Sequence, residues 1–182
     1  MGSNFEIRPL VPAEVAPLIA LRKEALEANP LAFGASLQDD KTLSPEFLRT
    51  SLADPQTSVI VGLFDGADLV GMVGVVRGTQ MKRRHRAGIW GMYVSPRARG
   101  KGGGRRLLEA AIEVARGWPG VEQVHLSVTE TSVEAWRLYE SAGFKEWGRE
   151  PRSVMWEGRY VEEIHMMLDL AEYRKASPPR GE

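Results

Sequence analysis

The sequence predicts an α/β protein, a sandwich around a mixed sheet with elements in the order β-α-α-β-β-β-α-β-α-β-β. Three observations predict it. Val- and Gly-rich runs over residues 57–64 and 69–77 flank the turn Asp65-Gly66-Ala67-Asp68, the pattern of an antiparallel hairpin. Helix-period apolar residues (Leu107, Ala111, Val114, Trp118) separate that hairpin from a later alternating run over 121–128. No internal repeat and no linker-like stretch divides the chain, so residues 1–170 are expected to form a single domain.

The elements follow in order. Residues 5–8 alternate enough for a short first strand. Pro12 suits the first helical position, and Leu18, Leu21, Ala25 and Ala28 recur on one face of the helix after it. Asn29-Pro30 ends that helix, because a residue preceding proline is pushed out of the helical region. After an irregular stretch over 31–43, Ser44 caps a second helix with Pro45 at its first position. The hairpin over 57–77 comes next, then a strand over 87–94 that Pro96 stops. The third helix closes at Pro119-Gly120, and 121–128 makes the fifth strand. Residues 132–141 form a fourth helix, with Gly143 placed for a left-handed cap. Two strands, 144–149 and 161–170, complete the sheet. The polar end, 171–182, reads as a disordered tail.

Composition excludes several classes of function. The formal net charge is zero, so no global field draws the protein to nucleic acid or an anionic membrane. Any polyanion must be held by a local site. With no cysteine, thiolate catalysis and thiolate metal sites are excluded together. No apolar run approaches the roughly 20 residues of a membrane span. The N-terminus lacks the regions of a secretory signal, and a cytoplasmic location is expected.

The informative segment runs from Ser95 to Leu108. Four glycines in five positions (Gly100, Gly102, Gly103, Gly104) free the backbone immediately before a helix. Unpaired N–H groups and the positive end of the helix dipole therefore face this loop, making an anion site out of backbone. Arg99, Lys101, Arg105 and Arg106 surround it with positive charge. Phosphate or pyrophosphate is the natural guest. A nucleotide-cradling P-loop fails on spacing, since Gly100-Lys101 is followed by Gly102 and the leading glycine position is Ser95. A dinucleotide fingerprint fails too, because it would need glycine where Arg105 or Leu107 stands.

What remains is Arg99-x-x-Gly102-x-Gly104, between a strand and a helix. It resembles the coenzyme-A pyrophosphate loop of the GNAT family of N-acetyltransferases. A second segment, Ser132-x-x-Ala135-x-x-Leu138-Tyr139-x-x-x-Gly143-Phe144, resembles the family's signature after the fifth strand, with serine where the family has asparagine. The likeness extends from Ile7-Arg8-Pro9 to Glu163-x-x-Met166. The stretch from Leu21-Arg22 to Pro30-Leu31-Ala32-Phe33-Gly34 is similar to the family's acceptor-side helix and loop.

The resemblance implies a mostly antiparallel sheet of about seven strands with four helices on its two faces. It also implies acetyl transfer from acetyl-CoA, as co-substrate and without a metal, to a primary amine of a small molecule or peptide. Met92, Tyr93 and Val94 would supply a backbone N–H to the thioester oxygen. Gly103 and the other loop residues would hold the pyrophosphate. Ala135 would admit the pantetheine arm, and Ser132 would cap the fourth helix beside it. Tyr139 would protonate the departing thiolate. Strand four lacks a carboxylate, so Glu130 is the candidate base, with Glu24, Glu27 and His125 behind it.

Other features are weaker. Lys82-Arg83-Arg84-His85-Arg86 is a basic cluster without interleaved aromatics, read as a solvated turn rather than a nucleic-acid contact. Strand alternation puts Trp90 and Met92 on one face and Tyr93 on the other. Trp147 and Trp156 are read as core aromatics, with the acceptor channel as the alternative. A non-catalytic acyl-CoA sensor is the competing function, and a homodimer stays open.

Overall fold

The computed structural model describes residues 5–176, with side chains described through Tyr173. β1 (Glu6–Pro9) leads through a 3-10 turn at Pro12–Glu14 into α1 (Val15–Ala28), followed by α2 (Pro45–Ala53). β2 (Ser58–Asp65), β3 (Asp68–Arg77) and β4 (Arg86–Val94) precede α3 (Gly103–Gly117). β5 (Gln123–Thr129), α4 (Val133–Ser141), β6 (Lys145–Trp156), β7 (Arg159–Asp169) and α5 (Leu170–Ala176) complete the order. The described strands form one seven-stranded sheet, ordered β1-β2-β3-β4-β5-β7-β6, in which only β4 and β5 run parallel.

Local chemistry explains the boundaries. Asn29 ends α1 with its N–H on the Ala25 carbonyl, and Ser44 Oγ caps α2 by accepting from the Phe47 N–H at 3.3 Å. Asp65 pairs with Asp68 across a turn in which Gly66 has φ 62°. Gly143, φ 97°, closes α4. Two apolar layers cover the sheet. Leu18, Leu21 and Ala25 of α1 and Leu48 of α2 pack on one face. Leu107, Leu108, Ala111 and Ile112 of α3 and Tyr139 of α4 pack on the other.

Three expectations change. The sixth strand extends to Trp156 and meets β7 in a tight hairpin; its mostly exposed, charged residues hide the strand from a hydrophobic-pattern reading. Residues from Ala171 do not start a loose tail. They continue as α5, anchored by buried Leu170, while 177–182 lie outside the described residues. Trp147 and Trp156 are not core: Trp147 is 62% exposed, stacked on His165 with ring centroids 5.3 Å apart, and Trp156 is 36% exposed.

The important departure lies in β4. Gly91 has φ 61°, and the β3–β4 register shifts between Met72 and Gly74, where Met72 faces Tyr93 and Gly74 faces Trp90. This bulge breaks the alternation. Trp90 and Tyr93 consequently share the α1/α2 face, and Met92 packs on the α3/α4 face, not beside Trp90 as simple alternation predicts. β4 pairs with β5 only from Arg86 to Gly88. Beyond that point the two strands splay, and the sheet opens.

Candidate functional site

The splay opens onto a cavity of about 780 Å³. Four segments wall it: the loop 29–33 after α1, the end of β4, the glycine-rich turn into α3, and the start of α4. A smaller cavity of about 80 Å³ adjoins it between β4 and β5, and Phe33, Met92, Ser132, Ala135 and Tyr139 line both.

Gly102 is the N-cap of α3, in the left-handed conformation at φ 78°, with no side chain capping the helix. The amides of the first turn, at Gly103, Gly104 and Arg105, have no partner from the helix's own ladder. All three residues line the larger cavity with Gly100 and Gly102. Gly100 is also left-handed, at φ 73°. A β-carbon at Gly100 or Gly102 would meet nothing within 4 Å, so the glycines there meet a backbone requirement and leave the surface bare. At Gly104 a β-carbon would come only to ordinary contact with Leu138, Met92 and Val94. The result is an uncapped helix terminus at the wall of an open cavity, a geometry that suits an anion.

The charged residues around this turn divide. Arg99 lines the cavity, donating through Nε to the Val94 carbonyl at 2.9 Å with its guanidinium 5.6 Å over the Tyr93 ring. Arg105 lines it too, held by Ser141 Oγ at 2.9 Å and Glu109 at 3.3 Å. Lys101 is absent from the lining; its ammonium lies 6.0 Å from the Phe5 ring. Arg106 donates to the Phe5 carbonyl at 2.9 Å and likewise serves the fold.

Met92, Tyr93 and Val94 bring the end of β4 to the cavity. Tyr139 faces Met92 across it, with its hydroxyl 3.7 Å from the Met92 sulfur and its ring 6.0 Å from that of Phe144. Burial in this apolar setting pushes the phenol up to about 12. Tyr139 is therefore a protonated donor throughout the physiological range. Full transfer of that proton to a thiolate of ordinary pKa ~8.5 would cost about 5 kcal/mol, larger than reference values for a phenol suggest. Hydrogen-bond donation to developing negative charge carries no such cost.

Ser132 stands at the N-cap of α4 but does not cap it. Its Oγ lies 3.0 Å from the hydroxyl of buried Thr129, whose own oxygen is 3.2 Å from Thr131 Oγ1. The expected cap is thus replaced by a hydroxyl cluster, which competes for the oxygen. Ala135 lies where a small side chain keeps the wall of both cavities open.

The carboxylates named from sequence do not converge here. Glu130 lines neither cavity, and its Oε1 accepts the Glu162 backbone N–H at 3.1 Å, which ties β5 to β7. Glu27 is exposed on α1. His125 lies 3.1 Å from Gln123 Oε1, and burial, then Arg86 and His85, lower its pKa. Glu24 comes nearest, accepting the Tyr93 hydroxyl at 3.0 Å; burial and then that bond push the phenol up to about 12. The basic cluster 82–86 runs from the β3–β4 connection into the first residue of β4, at the end where β4 and β5 still pair.

Comparison with known proteins places this geometry. A family model described as "Acetyltransferase (GNAT) family" matches residues 19–144. The L-amino acid N-acetyltransferase AaaT of Escherichia coli is 27% identical over 155 residues, covering 85% of this chain and 93% of that protein. Spermidine N(1)-acetyltransferase of Vibrio cholerae is 26% identical over 106 residues, 58% of this chain and 61% of that one. Among solved structures, YncA, a putative acetyltransferase from Salmonella typhimurium with its cofactor acetyl-CoA, superposes with a TM-score of 0.79 at 22% identity. The match covers 92% of this chain and 95% of that one.

Proposed function

The chain belongs to the GNAT acetyltransferase family, and from that premise we propose that it moves an acetyl group from acetyl-CoA directly to a primary amine. One observation carries the reading: the uncapped, glycine-rich start of α3 and the buried Tyr139 open into the same cavity. An anion held at the first and a donor waiting at the second match the pyrophosphate and the thioester of an acyl-CoA.

Acetyl-CoA would supply the acyl group as a thioester. The amides of Gly103, Gly104 and Arg105, with the Arg99 and Arg105 side chains, would hold the pyrophosphate. Ala135 would leave room for the pantetheine arm. A backbone N–H at the end of β4 would face the carbonyl oxygen, which the bulge at Gly91 turns out of the sheet ladder. The neutral amine nitrogen attacks the carbonyl carbon. A C–N bond forms, the C–S bond breaks, and Tyr139 donates a hydrogen bond to the leaving sulfur, which departs as the thiol with the proton the nitrogen loses. Glu24, Glu27 and Glu130 do not line the cavity but Glu134 does, so the ammonium would lose its proton to that carboxylate or to water entering the cavity.

The purified protein should release free thiol from acetyl-CoA when given amines from a panel of amino acids, polyamines and peptides. Saturable acetyl-CoA binding with no thiol release across the panel would replace catalysis with cofactor sensing. Absence of binding would remove the reading altogether.

A further inference from the structure

Arg22 projects from α1 and is 6% exposed. Its Nε and Nη2 both engage Asp40 Oδ2, at 2.8 and 2.5 Å. Phe33 stacks on the guanidinium, 4.5 Å from its carbon to the ring centre. The remaining nitrogen, Nη1, is buried and has no hydrogen-bond partner. Asp40 is poorly placed to serve it, because Oδ1 already accepts from the Thr42 N–H at 2.7 Å and the Thr42 hydroxyl at 2.6 Å. A buried charged donor without an acceptor is a group that folded proteins avoid unless something else supplies the acceptor.

The location of Nη1 indicates what could supply it. A β-carbon on Gly91 would lie 3.4 Å from this nitrogen, so the bulge of β4 runs directly past it. Arg22 itself lines neither cavity, but Gly91 and Phe33, the neighbours of the guanidinium, both line the smaller one with Met92 and Tyr139, so Nη1 lies directly behind the wall of that cavity. Apolar Ile89, Leu126 and Val128 form much of its remaining wall. At about 80 Å³, and with each liquid water occupying ~30 Å³, it suits a group of a few heavy atoms.

We propose that Arg22 forms an oxygen-reading subsite for the acceptor. The amine substrate carries a carboxylate or carboxamide oxygen on the carbon beside its nitrogen, as an amino acid or amino-acid amide does, and that oxygen accepts from Nη1. The inference rests on acetyl transfer to an amine and adds the class of amine. An oxygen seated in the smaller cavity would leave the neighbouring nitrogen facing the end of β4. A long polyamine offers no such oxygen and leaves Nη1 unsatisfied.

The test compares matched acceptors: an amino acid, its amide, and the amine lacking that carbonyl group, each with wild type and Arg22→Lys. Lysine keeps a cation for Asp40 but lacks the planar fork, so an ammonium seated at Asp40 presents no donor at the Nη1 position. Wild type should prefer at least one oxygen-bearing acceptor over the bare amine by about a hundredfold or more in kcat/KM. Whether the acid or the amide leads identifies the source of the oxygen. In Arg22→Lys the preference should fall to a few fold through a raised amine KM, with the acetyl-CoA KM unchanged. Equal use of all three by wild type, or an undiminished preference in the variant, overturns the proposal. If no acceptor releases thiol, acetyl transfer fails as a reading, and thermal shift with the same compounds decides the subsite. Stabilisation of wild type but not of Arg22→Lys sustains it; no stabilisation of wild type overturns it.

Discussion

The hydroxyl of Tyr139 on α4 lies 3.7 Å from the sulfur of Met92 on β4, across the mouth where the two strands part. A thioether is a weak acceptor, so this donor is held in place without being spent on a strong bond. Tyr139→Phe should lower kcat by about 10² while leaving acetyl-CoA affinity within a few fold. Because burial pushes the phenol up to about 12, the wild-type rate should not fall between pH 7 and 10 through loss of its proton. It should instead rise with the neutral fraction of the amine. A wild-type rate in the phenylalanine variant would assign Tyr139 to packing alone.

Gly102 combines a left-handed backbone with open space around its missing side chain. Gly102→Asp should therefore fold, at a cost of about 1 kcal/mol for the backbone geometry. The loss should fall on binding, because the carboxylate stands at the positive end of α3. Acetyl-CoA affinity, measured calorimetrically, should drop at least tenfold; an unchanged value would remove the anion site from this turn.

Gly91 is constrained twice, by φ 61° and by Arg22 Nη1 at 3.4 Å from a β-carbon. Gly91→Ala should destabilise the protein by about 1–2 kcal/mol in denaturant unfolding. Its amine KM should rise more than its acetyl-CoA KM, since the bulge borders the smaller cavity. Equal changes in both would detach the bulge from acceptor binding.

Ser132 spends its hydroxyl on Thr129 and leaves α4 uncapped. Ser132→Asn should keep acetyl-CoA affinity within about threefold and should not lower the Tm, because asparagine is a good cap. A tenfold loss of affinity would show that the hydroxyl cluster itself holds the cofactor.

Glu14 is held below its ordinary 4.5, chiefly by hydrogen bonds from Arg8, and also accepts the Val11 N–H at 2.9 Å. Its folded value being depressed, its contribution is present above about 4.5 and lost as pH falls through the folded value. Glu14→Gln should lower the Tm at pH 7, and the gap from wild type should narrow as pH falls below the ordinary carboxylate range. A gap independent of pH would mean packing and not charge.

The parts of the site legible in the sequence are those that depend on the backbone alone. Gly102 and Gly104 before an amphipathic helix announce an uncapped terminus, and Tyr139 follows at helical spacing. The face of a side chain after a bulge was not legible. Residues 87–94 read as uninterrupted alternation, and the one-residue insertion at Gly91 that moves Trp90 beside Tyr93 leaves only a glycine as its signal. Glu130 shows a related limit: proximity to the strand end says nothing about which backbone amide claims the carboxylate. The importance of Arg22 was equally hidden, because it rests on Asp40, eighteen residues away, and on an absent hydrogen bond.

The order β4-β5-β7-β6 has a consequence for assembly. β5 shares only three paired positions with β4 but seven, from Gln123 to Thr129, with β7. The strand that leads into Thr131 and Ser132 at the cavity is therefore secured by chain synthesised some forty residues later. A nascent protein halted at the β6–β7 turn would possess every residue named here as a candidate ligand-holder, yet β5 would hang by a short parallel contact. Only with the last strand is β5 held along its whole length.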